Sequence, residues 1–127
     1  MKRIKRYGLF FLIGAIGYAA IEIIWRGHTH WSMMIAGGLS FMMFSVISER
    51  FSNKSLFVKA LACAIGVTAI EFCFGVIFNI WLKMDVWDYS EMPLNLLGQI
   101  CPLYTLLWAV IAISLMPFVE VLNKDYA

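Results

Sequence analysis

Polar residues along this chain are gathered into short clusters, and nearly everything between them is apolar. A basic start, Met1–Arg6, is followed by an apolar run from Tyr7 to about Trp25. The polar turn Arg26–His30 precedes a second run from Trp31 to about Ile47. The segment Ser48–Ser55 separates it from a third, Leu56–Leu82, and Lys83–Pro93 from a fourth, about Leu94 to Leu122. Roughly 20 helical residues cross the ~30 Å hydrocarbon layer. Without water, each backbone polar group must find its partner inside the segment. The pattern therefore predicts an all-α fold, one transmembrane domain of four helices over about 7–25, 31–47, 56–82 and 94–122. The second run is short and reads as a full span leaning on its neighbours, with a re-entrant segment as the other reading. The basic start resembles a signal peptide, but Gly17-Tyr18-Ala19 is a poor cleavage site and three more apolar runs follow. It reads as a retained first helix.

Composition supports lipid as the solvent: 62% of residues are hydrophobic and 14% charged, against about 25% charged in soluble domains. A net charge of +2 is too small to suggest a nucleic-acid partner. The basic residues matter for orientation instead. Lys2, Arg3, Lys5, Arg6, Arg50, Lys54, Lys59 and Lys124 fall on one side of the predicted bundle, and only Arg26 and Lys83 on the other. That asymmetry places both termini in the cytoplasm of a cell (bacterial inner) membrane. Trp25, Trp31, Trp81 and Trp87 flank the opposite ends, where an outer aromatic belt belongs. Cys63, Cys73 and Cys101 lie in apolar runs with no C-x-x-C, and read as packing residues.

An octapeptide recurs in the first and third runs. Ala15-Ile16-Gly17-Tyr18-Ala19-Ala20-Ile21-Glu22 aligns with Ala64-Ile65-Gly66-Val67-Thr68-Ala69-Ile70-Glu71 at six of eight positions. This suggests a parallel duplication of a two-helix unit, with Glu22 and Glu71 as equivalents near a pseudo-twofold axis.

Several residues are candidates for chemistry. Glu71 sits among apolar neighbours, and intramembrane carboxylates cost at least about 2.5–3.5 kcal/mol at the bilayer centre. It either faces an internal cavity and binds a proton or cationic group, or hydrogen-bonds to Thr68, Asn79 or a neighbouring helix as packing glue. Glu22 lies four residues before Arg26, a spacing that suits an ion pair. His28 and His30 are two apart, a poor arrangement for gripping a metal from one helix face, and no metal or other cofactor is expected. In the fourth run, Pro93 suits a first helical turn. Asn95 and Gln99, four apart, would then share a face, and Pro102 would free the Gly98 carbonyl beside Gln99. Together with Trp87, Asp88 and Tyr89, these outline a polar site below the outer surface.

The run Tyr18-x-x-x-Glu22, Trp25-Arg26-Gly27-His28-Thr29-His30-Trp31-Ser32-Met33, Gly37-Gly38, Glu71 and Trp87-Asp88-Tyr89-Ser90…Pro93-x-Asn95-x-x-Gly98-Gln99-Ile100-Cys101, with Tyr104 and Trp108, resembles the bacterial Putative ABC-transporter type IV (CmpB-like) membrane proteins. The resemblance implies a membrane component without its own ATPase, and the chain contains no G-x-x-x-x-G-K-[ST] phosphate loop.

The expected function is a small transport or transport-associated subunit (permease-like) and not an enzyme. It would work as a homo-oligomer or in a larger membrane complex, with a separate ATPase. Its substrate or ion site would comprise Glu71, Glu22, Arg26, Asn95, Gln99, Trp87, Asp88 and Tyr89. The alternative is a non-transporting partner that stabilises or regulates another membrane protein, docked on a small-residue surface such as Ala62 and Gly66.

Overall fold

The computed structural model describes residues 2–125, without the side chain of Lys2, whose place in the basic count lies outside the described side chains. Helix α1 is Lys2–Arg26, α2 is Trp31–Arg50 and α3 is Leu56–Phe74, which passes directly into a π-helical segment, Gly75–Trp81. Helix α4 is Pro102–Asp125. Four helices are long and apolar enough to cross a membrane, the second being 20 residues long, and no strand occurs among the described residues.

Local signals explain the ends. Gly27 takes φ +81°, and its N–H bonds the Ile23 carbonyl at 2.9 Å, a left-handed glycine closing α1. The His30 ring accepts from the Ser32 amide at 3.2 Å and caps α2. Ser55 caps α3 through the Val58 amide, 3.3 Å away.

The largest correction concerns α4. It begins at Pro102 and not near Leu94, so Pro102 occupies the first turn, where its missing donor costs nothing. Residues 82–101 form an irregular loop in which Leu94 and Leu97 adopt positive φ. Asn95 and Gln99 therefore do not share a helix face, and Pro93 does not start a helix. The Leu-rich composition of 94–100 imitated a span.

Helices α1 and α2 form one tight hairpin and α3 and α4 another, with α2 packed on both helices of the second. Gly14 and Gly37 let the first pair approach: a Cβ on either would overlap the other's backbone. Gly38 lies beneath the Phe11 ring. Gly66 lies against Met43 of the same chain, where its missing side chain makes room on the α2–α3 seam.

The core fills the half of the bundle near the termini, around Phe10, Phe41, Phe44, Val67, Met116 and Val119. Buried Arg6 and Lys59 pair with Glu49 at 2.7 Å and Glu120 at 2.6 Å, one ion pair within each hairpin. These pairs mark the basic end. The turn 27–30 and the loop 82–101 form the opposite, loop end.

Candidate functional site

At the loop end a cavity of about 640 Å³ lies between α1 and α4. One face of α1 and one of α4 supply its walls, at the three-to-four-residue spacing of helical neighbours. Residues 87–92 of the loop roof it. Six aromatic residues line it: Tyr18, Trp25, Trp87, Tyr89, Tyr104 and Trp108. Tyr89 stacks on Tyr104 with ring centroids 4.7 Å apart and planes 9° from parallel. Tyr18 meets Trp108 at 5.5 Å.

Charge enters from four side chains, Glu22, Arg26, Asp88 and Glu91. Glu22 is buried and its carboxylate lies 3.3 Å from the Arg26 guanidinium, the ion pair that the spacing suggested. Arg26 is fixed more firmly by its other arm, which donates to the Val86 carbonyl at 2.7 Å. The guanidinium thus pins the loop to the end of α1.

Glu71 stands behind this cavity and does not line it. It is 5% exposed, and Trp108 donates its indole N–H to Glu71 Oε1 at 2.9 Å. Trp108 therefore faces the cavity while holding the buried carboxylate. Neither Thr68 nor Asn79 bonds Glu71: Thr68 pairs with Thr105 at 2.8 Å, and Asn79 is committed to the loop. Glu71 lies twelve residues along α3 from Lys59, about 18 Å at 1.5 Å per residue, well inside the bundle.

The loop is itself an ordered structure. Asn79, within the π-helical segment, accepts from the Val86 amide at 2.7 Å and donates to Gln99 Oε1 at 2.8 Å. Gln99 donates to the Leu97 carbonyl at 2.8 Å, and its own carbonyl accepts from Trp87 Nε1 at 2.9 Å. Gly75 makes room for this arrangement, since a Cβ there would lie 2.5 Å from Gln99 Oε1. Asn95 stitches the turn locally, donating to the Met92 carbonyl at 2.8 Å and accepting from the Gly98 amide at 2.9 Å. A wide helical turn with a polar side chain at its centre recurs at functional sites. Here it positions the roof.

Residues 8–127 match the family described as Putative ABC-transporter type IV. The chain belongs to that family. No curated protein and no solved structure matches it.

In this type IV family protein, five of the residues expected at the site (Glu22, Arg26, Trp87, Asp88 and Tyr89) line the cavity. Glu71 lies one residue behind it, while Asn95 and Gln99 build the loop. Trp87 is buried and pinned to Gln99, unlike Trp25, Trp31 and Trp81, which remain exposed at the loop end as a belt would be. Tyr18, Tyr104 and Trp108 were visible only as parts of a family resemblance, because an aromatic in an apolar helix carries no sign of which face it takes. Burial, and then the nearby Glu71 and Tyr104, push the Tyr89 phenol above the usual tyrosine range, so it stays neutral. His30 is used in capping and His28 is exposed.

Proposed function

We propose that the chain is a transport or transport-associated subunit of the cell membrane whose substrate contacts occur in the cavity between α1 and α4. Both termini face the cytoplasm and the loop end faces outward, in keeping with the basic residues gathered at the opposite end. The observation that carries this reading is an aromatic-lined cavity within the bundle, backed by a buried carboxylate that Trp108 holds. An ionisable group within a membrane span is a functional candidate by default. Membership of the Putative ABC-transporter type IV family supports the transport class.

Energy comes from a separate ATPase in this reading, and the subunit works as an oligomer or in a larger membrane complex. The test is purification of the tagged chain from membranes in mild detergent, with reconstitution of whatever stays bound. An associated nucleotide-binding subunit whose ATP hydrolysis drops in Glu71→Gln supports the proposal. A chain that retains no ATPase, or one whose ATPase is indifferent to Glu71, contradicts it. A non-transporting partner role is favoured by one feature: the α2–α3 seam is filled by Met43 on Gly66, whereas the α1–α4 seam is open. A stoichiometric membrane protein seated in that seam would establish it.

A further inference from the structure

The cavity has a composition that selects by charge and shape. Its six aromatic residues come from α1, the loop and α4, and so surround the space from three directions. An aromatic ring presents a negative face, and several rings around one space attract a diffuse cation that cannot donate hydrogen bonds. The charged lining points the same way: Glu22, Asp88 and Glu91 against Arg26 leaves an excess of two formal negative charges. Arg26 is held at the rim by the Val86 carbonyl at 2.7 Å, while its contact with Glu22 is longer, 3.3 Å. Glu22 can therefore answer a second cation without Arg26 leaving its post.

The opening supplies the second half of the argument. Ile21 and Leu107 line the cavity and are respectively 52% and 41% exposed on the flank of the bundle. That flank meets acyl chains in a bilayer, so an apolar tail attached to the cation would run out over these two side chains without meeting a polar group.

We propose that the α1–α4 cavity binds a quaternary ammonium group, with the aromatic walls and Glu22 on the cation and any attached alkyl chain leaving between Ile21 and Leu107. This rests on the reading of the cavity as the substrate site and names the substrate class. The same group occurs on free small cations and on phosphatidylcholine headgroups, and both present the chemistry the cavity recognises.

The test is tryptophan fluorescence of the purified chain in phosphatidylglycerol nanodiscs, titrated with choline, dodecyltrimethylammonium and the uncharged carbon isostere of choline. Both cations should saturate the signal, and the isostere should bind at least about tenfold more weakly, the equivalent of about 1.4 kcal/mol. Tyr104→Leu, with helicity checked by circular dichroism, should weaken the cations by about three- to tenfold and leave the isostere unchanged. Glu22→Gln should weaken them as well.

Repeating the titration in phosphatidylcholine nanodiscs separates the sources. A weakened apparent choline affinity there identifies the lipid headgroup as an occupant, and an unchanged one identifies the free cation. Equal binding of choline and its isostere overturns the quaternary ammonium assignment while leaving the cavity a ligand site. Indifference of cation binding to both Tyr104→Leu and Glu22→Gln overturns the placement. Absence of binding by any probe to the folded chain overturns the inference as a whole. The association of the chain with an ATPase is measured separately and survives or fails on its own.

Discussion

Trp108 of α4 donates its indole proton to the Glu71 carboxylate of α3 at 2.9 Å, and the same indole forms part of the cavity wall. One side chain thus links the buried acid to the space where a ligand would sit. It also fastens α3 to α4 beside the cavity.

Replacing that indole separates the hydrogen bond from the ring. Trp108→Phe keeps an aromatic wall but removes the donor, and should destabilise the chain by about 1–3 kcal/mol, the range for stranding a buried polar partner. Glu71→Gln keeps an oxygen that can accept the bond and should cost less. Thermal unfolding in detergent of both variants and their double should give a coupling of at least about 0.5 kcal/mol. Strict additivity would mean that the contact is incidental.

Gly75 is the point at which the loop meets α3. Gly75→Ala pushes a methyl into Gln99 and should loosen the chain of bonds from Gln99 through Asn79 to Val86 and Trp87. Hydrogen–deuterium exchange of residues 86–99 should quicken by about tenfold, corresponding to about 1.4 kcal/mol of lost local stability. Exchange in α1 and α2 should not change. A loop that keeps its wild-type exchange would show that Gln99 has room to move aside.

Two glycines on α1 should respond differently to the same substitution. A Cβ at Gly14 would overlap the Gly37 backbone, whereas a Cβ at Gly17 meets nothing within 4 Å. Gly14→Ala should cost about 1–3 kcal/mol by overpacking. Gly17→Ala should be neutral or stabilising by up to about 1 kcal/mol, from helix propensity alone. The comparison is a pair of unfolding curves in one detergent, and equal destabilisation would contradict the α1–α2 contact.

The spans were legible because hydrocarbon imposes a length and a composition, and α1, α2 and α3 follow both. The start of α4 was not, because Leu94, Leu96 and Leu97 are as apolar as a span although 85%, 51% and 65% exposed on the loop. Pro102 was the available signal, since a proline fits a first helical turn better than a helix interior. Glu22 and Arg26 could be paired from spacing alone. The partner of Glu71 could not, because Trp108 lies 37 positions away and helix packing decides which residues meet.

Tyr89 gives a check that depends on pH. Its phenol is raised by burial, with the charge of Glu71 and the neighbouring Tyr104 adding to the effect. A raised value means that the proton is kept while ordinary tyrosines lose theirs near pH 10. In near-ultraviolet absorbance up to about pH 11, Tyr89→Phe should therefore remove no ionising amplitude from the native chain. Loss of an amplitude equal to that of one freely exposed tyrosine would place Tyr89 in water.

The proposal that the cavity between α1 and α4 admits a cation is tested most directly by cysteine labelling of adjacent positions. Ile111 lines the cavity, while its neighbour Val110 is absent from the cavity lining and 54% exposed. Each is changed to cysteine in a chain whose Cys63, Cys73 and Cys101 are alanine. A membrane-impermeant methanethiosulfonate carrying a trimethylammonium group is then applied to intact cells. Labelling of Ile111→Cys with Val110→Cys left unmodified is the expected result. Equal labelling of the two, or none at Ile111→Cys, would contradict the cavity as a site that admits a cation.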